Sequence, residues 1–226
     1  MSKIGVVLSG CGVFDGSEIH EAVAVLLALA RAGVNYQCMS PDTEQMHVVN
    51  HFTGEVSEGK KRNVLVESAR IARGDIKSIS SVNINDYDGL VFPGGFGAAK
   101  NLCDFAATGA DCNVNSEVAR LVQAAHAAGK PMAFVCISPV IAAALLGNRG
   151  VKVTIGDDEE AAGQITEMGG RHMNCAVKEM VIDNENKIIT SPAYMKAENI
   201  AELFDDVTAS VNALIEMVNN PAASSA

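Results

Sequence analysis

Short apolar runs alternate with longer segments that mix apolar and polar positions along most of the chain. The short runs predict buried strands at 3–9, 34–39, 88–92, 131–135, 151–155 and about 180–190. The longer segments predict helices at 18–33, 63–73 and 114–128, and one long or two shorter helices within 193–219. This order predicts an α/β protein with a flavodoxin-like, doubly wound and mostly parallel sheet that carries helices on both faces.

The first predicted helix follows Ser17, a residue type that caps helix N-termini. Ile19, Val23, Leu26 and Ala30 recur along it at helical spacing. We expect these four side chains to form the apolar stripe of the helix.

Nothing in the pattern divides the chain into separate units. It has 226 residues, 48% of them apolar, with no internal repeat and no long linker. We therefore expect a single domain over residues 1–220 with a substantial core, and a frayed tail over 221–226.

Charge and cysteine usage exclude several classes of partner. The formal net charge of −10 argues against nucleic acids and anionic membranes. No apolar run reaches the length of a membrane span, and no signal-peptide pattern opens the chain. The six cysteines show no C-x-x-C pair or metal-ligand spacing. We expect a cytoplasmic protein with reduced thiols, no metal and no cofactor, since the glycines of 9–16 resemble a dinucleotide loop only loosely.

Cys136 is the first candidate for chemistry. It ends the apolar run 132–135, and Pro139 begins an apolar helix three residues later. A strand, a sharp turn and a helix would lift the thiol clear of the sheet and place it at a helix N-terminus, which favours a thiolate. The alternative is a small buried core residue, because free cysteines are often buried.

Two further segments should meet Cys136 at the carboxyl edge of the sheet. Gly94 and Gly95 follow a strand, and their N–H groups together with that of Ile137 suit an oxyanion hole. The alternative for the glycines is a plain turn.

The other segment is the start of the first helix, which offers Glu18, His20 and Glu21. Acidic residues there are ordinarily surface groups favoured by the helix dipole. Glu21, however, falls between apolar neighbours, and a carboxyl held near a thiolate would have a raised pKa.

These three segments carry a family resemblance. Gly16-Ser-Glu-x-x-Glu-Ala-Val, Phe92-Pro-Gly-Gly-Phe-Gly and Cys136-x-x-Pro resemble the acid helix, oxyanion loop and elbow of the ThiJ/PfpI superfamily, which shares its fold with class I glutamine amidotransferases. The resemblance implies that Cys136 is the nucleophile, Glu21 its partner carboxyl, and Gly95 and Ile137 the oxyanion donors. It also implies a cofactor-independent glyoxalase that converts glyoxal, a small dicarbonyl, to glycolate, an activity that can reflect deglycation of early adducts.

The sequence also departs from the superfamily pattern. Ile137 stands where PfpI-type peptidases have histidine, and Gly156 where many members have another. Ser191-Pro-Ala-Tyr-Met-Lys replaces the His-x-Glu pair of amidotransferases, which argues against a glutaminase. Three histidines remain as spatial substitutes, each more often a surface or core residue: His20, His51 and His172.

Two functions remain open at this stage. The leading hypothesis is a slow glyoxalase in which Cys136 adds to an aldehyde and Glu21 moves a proton. The alternative is a stress-sensing, redox-sensing or chaperone-like protein in which Cys136 is oxidised and Glu21 stabilises a sulfinate. We expect a homodimer in either case, and we interpret the acidic run 157–160 as a solvated helix start.

Overall fold

The computed structural model describes residues 2–220, and the predicted tail at 221–226 lies outside them. Its strands, in chain order, are β1 (Lys3–Val7), β2 (Asn35–Ser40), β3 (Ile76–Ser78), β4 (Gly89–Phe92), β5 (Met132–Val135), β6 (Lys152–Val153), β7 (Arg171–His172), β8 (Val181–Asp183) and β9 (Ile188–Ser191). Seven of them form one sheet in the order β3-β2-β1-β4-β5-β9-β8, while β6 and β7 pair separately. Only β8 runs antiparallel to its neighbour in the seven-stranded sheet.

Helices cover both faces of this sheet. They are α1 (Ile19–Arg31), α2 (Val64–Ile71), α3 (Phe96–Lys100), α4 (Phe105–Thr108), α5 (Ser116–Ala127), α6 (Pro139–Leu146), α7 (Glu159–Glu167) and α8 (Ile200–Asn219). One apolar layer packs α1 and α8 against the sheet, and the other packs α3, α5 and α6 against the opposite face. The predicted flavodoxin-like, doubly wound fold is therefore confirmed.

Four of the predicted strands match β1, β2, β4 and β5 closely. The predicted strand at 180–190 is a hairpin of β8 and β9, and that at 151–155 contributes only the short β6. The C-terminal segment holds one long helix, α8, after a short turn at 193–195. Strand β3 and the short helices α3 and α4 were not predicted, because elements of three to five residues are too short to show a period.

The predicted apolar stripe of α1 is wrong. Ile19 and Val23 are 44% and 43% exposed, whereas the buried face carries Ala22, Val25 and Leu29. Apolar residues lie on every side of this helix, so their spacing does not single out one face. Ser17 is not the N-cap either: it accepts a hydrogen bond from the Ser9 N–H, and Glu18 caps the helix.

The parallel strands bring their carboxyl ends to one edge of the sheet. Strands β4, β5 and β9 end side by side there, at Phe92, Val135 and Ser191. Just below this edge the rings of Phe92 and Phe134 stack at 4.4 Å between centroids. The loops that follow these strands, together with the start of α1, form the candidate site.

Candidate active site

Cys136 lies at a sharp turn between β5 and α6, as the sequence predicts. Its φ of +61° is uncommon for a residue with a side chain and costs about 1–3 kcal/mol unless the surroundings enforce it. Here the Cys136 N–H donates to the Ser191 carbonyl at 3.0 Å. The Ser138 hydroxyl donates to the Phe92 carbonyl at 2.9 Å. The turn is thus tied to both neighbouring strands, which holds the thiol at the sheet edge.

Glu21 lies in the first turn of α1 and is completely buried. Its Oε2 accepts from the Gly94 N–H at 2.8 Å, and its Oε1 accepts from the Tyr194 N–H at 3.3 Å. Its Oε2 lies beside the Cys136 thiol: the oxygen is 2.7 Å and the sulfur 3.0 Å from the point that a Cβ at Gly94 would occupy. The structure therefore brings together the two side chains that the sequence singled out.

The glycines at 94 and 95 are required by close packing. A Cβ at Gly94 would lie 2.4 Å from the Cβ of Cys136 and 2.7 Å from Oε2 of Glu21. Gly95 has a φ of +91°, and a Cβ there would lie 2.3 Å from the Glu18 backbone nitrogen. This loop is more than a plain turn, since its bare backbone lets the carboxyl and the thiol meet.

The N–H groups around the thiol divide into two sets. Those of Gly95 and Ile137 lie near the Cys136 sulfur, where they lower the pKa of the thiol. That of Gly94 is taken by Glu21, so it is not free to serve as the oxyanion donor that the sequence suggested. When a carbonyl carbon bonds to the sulfur, its oxygen would lie beside the N–H groups of Gly95 and Ile137.

Burial sets the protonation of the site. It raises the pKa of Glu21 to about 8, with the nearby charge of Glu18 as the second cause. Burial also raises the pKa of the Cys136 thiol, and the charge of Glu21 adds to that effect. The N–H groups of Gly95 and Ile137 oppose this increase but do not overcome it. The N–H groups at the helix N-terminus therefore favour a thiolate as expected, but desolvation outweighs them.

A cavity of about 550 Å³ opens above Cys136 and Glu21. Helices α3 and α4 supply an apolar wall, while Glu18 and the start of α7 supply carboxylates. Its side-chain lining within residues 2–220 includes no lysine, arginine or histidine; the larger lining residues are Phe96, Phe105, Ile137, Met195, Glu18, Asp158, Glu160, Gln164 and Tyr194. The cavity is suited to a small neutral or cationic molecule.

The acidic run at 157–160 is exposed and forms the start of α7, which confirms the predicted solvated helix start. Asp157 forms an ion pair with Lys196 at 2.7 Å. Asp158 accepts from the Ala161 N–H and so caps α7, and both Asp158 and Glu160 face the cavity.

None of the three candidate histidines lines the cavity. His20 is at the rim, where Nδ1 lies 2.8 Å from the Tyr194 hydroxyl. His51 Nε2 accepts from the Phe14 N–H, and His172 Nε2 accepts from the Ile155 N–H. The structure therefore does not place a histidine against Cys136. Among residues 2–220, no group of three His, Cys, Asp or Glu side chains is arranged to hold a metal ion.

Sequence reasoning missed Tyr194 and Asp206. The buried Asp206 accepts from the Ala193 N–H at 3.1 Å and from the Lys178 N–H at 2.9 Å, and so fixes the turn that aims the Tyr194 N–H at Glu21. The signal for Tyr194 was the run Ser191-Pro-Ala-Tyr directly after a strand. Asp206 lies within α8, where no local pattern distinguishes it from a surface acid.

Comparison with known proteins identifies the family. The chain is 45% identical over 225 residues to the human glutamine amidotransferase-like class 1 domain-containing protein 3, mitochondrial, and the match covers 96% of this chain and 83% of that one. The rat ES1 protein homolog, mitochondrial, is 43% identical, over 96% of this chain and 84% of its own. The chain belongs to the ES1 family of glutamine amidotransferase-like proteins. No family model matches the sequence.

Solved structures place this ES1-family chain among ThiJ/PfpI/DJ-1-like folds. An isoprenoid biosynthesis protein with an amidotransferase-like domain from Ehrlichia chaffeensis is 39% identical, with a TM-score of 0.89, covering 96% of this chain and 99% of that one. Glyoxalase III from Candida albicans is 14% identical with a TM-score of 0.58, covering 94% and 97%, which shows a shared fold alone. The superfamily resemblance is confirmed.

The cytoplasmic location expected from the sequence is wrong. The human, rat and zebrafish relatives are all named mitochondrial proteins, which contradicts that expectation. Reduced thiols suit either compartment, and the composition of a folded domain does not indicate which compartment it occupies. None of the helices in residues 2–220 is long and apolar enough to cross a membrane.

Proposed function

We propose that this ES1-family protein is a cofactor-independent glyoxalase that converts glyoxal to glycolate. The observation that carries the proposal is the contact between Cys136 and a buried, high-pKa Glu21 at the floor of a cavity. The sulfur also receives N–H groups from Gly95 and Ile137. This arrangement supplies a nucleophile, a proton carrier and oxyanion donors within one small volume.

The first step joins the thiol to one aldehyde of glyoxal. The carboxylate of Glu21 takes the thiol proton as the sulfur attacks the carbonyl carbon. The carbonyl oxygen becomes an oxyanion beside the N–H groups of Gly95 and Ile137 and takes the thiol proton from Glu21, which completes the hemithioacetal and leaves Glu21 ionised for the next step. These donors act at the atom where charge develops, which is where such groups lower a barrier most.

The second step moves hydrogen between the two carbons. Glu21 removes the proton from the sulfur-bearing carbon, giving an ene-diol, and returns a proton to the other carbon. The product is a glycolyl thioester on Cys136. Water then cleaves the thioester and regenerates the thiol, so that one glyoxal and one water yield one glycolate. A carboxyl with a pKa near 8 is well matched to giving and taking protons at neutral pH.

The same steps apply to early carbonyl adducts of amines, in which one aldehyde is already joined to nitrogen. The carboxylates of Glu18, Asp158 and Glu160 around the cavity favour such cationic substrates over anionic ones. Glyoxalase and deglycase activity are therefore two uses of one site, and assays with glyoxal alone and with a preformed adduct separate them.

The second candidate function is a stress-sensing, redox-sensing or chaperone-like protein. It is favoured by the raised pKa of Glu21, which keeps the carboxyl largely protonated at neutral pH. A protonated carboxyl donates a hydrogen bond to a sulfinate on Cys136 and so stabilises the oxidised cysteine. The absence of histidine from the described lining of the cavity also suits this use.

A steady-state assay decides between the two. Wild-type protein should form glycolate from glyoxal, and Cys136→Ala should abolish it. Glu21→Gln should lower turnover by at least about 10²-fold, the contribution of a general acid–base group. Glu167→Gln is the matched control, since this exposed carboxylate on α7 lies outside the cavity lining. Glu18→Gln keeps an oxygen to cap α1 and should have a smaller effect than Glu21→Gln. Glutamine should release no ammonia. No glycolate from wild type, together with a peroxide-dependent sulfinate at Cys136, would favour the sensor.

We also propose that the protein is a homodimer. Ile19 and Val23 of α1 stand exposed beside the site and would be covered by a second subunit. Light scattering should give twice the mass of one chain for the wild-type protein, and the mass of a single chain for Val23→Glu.

A further inference from the structure

Two cysteines outside the candidate site flank one of its walls. Cys103 and Cys112 bound the segment 104–111, which carries α4. Its backbone ends are held together: Cys103 bridges Val114 in an antiparallel pairing, and the Asp104 N–H donates to the Asn113 carbonyl at 3.2 Å. Paired residues in neighbouring strands share a face, and so do residues two apart on one strand. The side chains of Cys103, Val114 and Cys112 therefore lie on the same face of this pairing.

The two thiols also belong to one apolar cluster, in which Cys112 packs against the layer that holds Cys103. The interaction between the thiols is the largest cause of a raised pKa at Cys103 and a lowered pKa at Cys112. Cys103 is only 4% exposed and also donates to the Ala98 carbonyl at 3.3 Å. Cys112 is half-buried, so a small oxidant can reach it. One thiol is thus accessible and inclined to ionise, and the other is held beside it.

We propose that Cys103 and Cys112 are a redox-active dithiol that closes to a disulfide on reaction with a hydroperoxide. The Cys112 thiolate attacks the peroxide, forming a sulfenic acid and releasing water or an alcohol. The Cys103 sulfur then displaces the hydroxyl as a second water, and the sulfur–sulfur bond forms. Two thiols and one hydroperoxide are consumed, two electrons pass to the peroxide, and no other reactant is needed.

The bond would constrain the wall of the cavity. Phe105, Ala106 and Ala107 belong to α4 and line the cavity over Cys136. A disulfide from 103 to 112 closes the short loop that carries them, which removes conformations open to the reduced loop. Oxidation of this pair therefore changes the wall of the cavity without modifying Cys136.

The other thiols are less suited to this reaction. Burial raises the pKa of Cys38 to about 12 and that of Cys175 to about 11, and it raises the pKa of Cys136 as well. Cys11 is also raised by burial. Among the described cysteines, Cys112 combines a lowered pKa with a second cysteine on the same face of a backbone pairing.

Peptide mass spectrometry tests the proposal. Reduced protein is treated with hydrogen peroxide at one to a few equivalents, denatured in iodoacetamide and digested with trypsin. Cleavage after Lys100 and Arg120 gives one peptide, 101–120, that contains both cysteines and no other. We expect this peptide to lose two hydrogens and to resist alkylation, and to regain two alkyl groups after reduction. Cys175→Ser should behave like wild type, whereas Cys112→Ser should leave Cys103 fully alkylated.

Hydrogen exchange measures the consequence for the wall. Amides of 105–109 should exchange at least severalfold more slowly in the oxidised protein, and the change should be absent in Cys112→Ser and in the milder second variant Cys103→Ala. A dimedone adduct that persists at Cys112 without loss at Cys103, or oxidation confined to Cys136, would overturn the pairing. A disulfide with unchanged exchange at 105–109 would overturn its effect on the wall. Neither readout depends on glyoxalase activity.

Discussion

At the floor of the cavity Cys136 is 7% exposed beside a carboxyl, whereas at the wall Cys112 is half-buried beside a second thiol. The pKa of the first is raised and that of the second is lowered. Cys136 receives two backbone N–H groups at a helix N-terminus, and Cys112 lies in a loop. The comparison shows that burial and a neighbouring carboxyl decide the ionisation of a thiol here, against the preference of the helix terminus.

The two regions also differ in how tightly they are packed. At the floor, Gly94 and Gly95 have no room for a methyl group, because backbone and reacting side chains lie within 3 Å of where a Cβ would be. In α7, outside the residues that line the cavity, Gly163 has nothing within 4 Å of that point. The floor therefore fixes the thiol and the carboxyl by contact, whereas Gly163 has room for a methyl group.

The largest effect should come from adding one methyl group to the floor. Gly94→Ala would force the new carbon against Cys136 and Glu21, so we expect a loss of about 2–4 kcal/mol in the free energy of unfolding and no detectable turnover. Urea denaturation and the glycolate assay measure the two effects. Gly163→Ala is the control, and should be neutral or stabilise by up to about 1 kcal/mol. Equal stabilities of the two variants would contradict the packing argument.

The next effect concerns pH. The pKa of Glu21 is raised from 4.5 to about 8 in the folded protein, so the folded state holds a proton there that the unfolded state loses. The stability linked to this group is complete below about pH 4.5 and is lost as the pH rises through about 8. Between pH 5 and pH 8.5 the free energy of unfolding should fall by about 1–4 kcal/mol from this group, at 1.36 kcal/mol per pKa unit.

Glu21→Gln removes that dependence. The variant has no titrating proton, so the difference in stability between pH 5 and pH 8.5 should shrink even if the substitution changes stability overall. Guanidinium titrations at the two pH values measure the difference in wild type and variant. Glu167→Gln, an exposed change in α7, should leave it unchanged. An unaltered difference in Glu21→Gln would mean that the carboxyl is ionised in the folded protein throughout.

The sequence predicted the floor better than the wall, for a physical reason. Cys136 and Gly95 follow buried parallel strands, and the glycine is required by a positive φ and by close backbone contact. Such strand ends can be recognised from the sequence alone. Helix α4 is four residues long and the turn at Tyr194 is irregular, so neither has a period to detect. The stripe of α1 failed because a helix that is apolar all round does not reveal which face is buried.

A third prediction compares the two thiols directly. The labelling rate of a cysteine by iodoacetamide follows its thiolate fraction. Raising the pH from 7 to 9 should therefore accelerate labelling of Cys136 more than that of Cys112, and the ratio of the two rates should change by at least about threefold. Quantitative mass spectrometry of the two tryptic peptides gives both rates in one sample. If the ratio is constant with pH, the two pKa shifts do not differ in direction.

The smallest effect concerns the charge of the wall. Glu160 faces the cavity with an exposed carboxylate, and the described lining contains no basic residue. Binding of an anionic dicarbonyl should therefore be disfavoured. We expect 4-carboxyphenylglyoxal to have a lower kcat/KM than phenylglyoxal, and Glu160→Gln to narrow the gap about two- to fivefold, the size of an exposed charge interaction. Glu167→Gln is the matched control, since it lies on the same helix but outside the lining. Salt should narrow the wild-type gap in the same direction, because an electrostatic preference is screened whereas a steric one is not. If neither salt nor Glu160→Gln alters the difference in kcat/KM between the two substrates, the preference depends on shape. The apolar wall of α3 and α4 would then set the specificity.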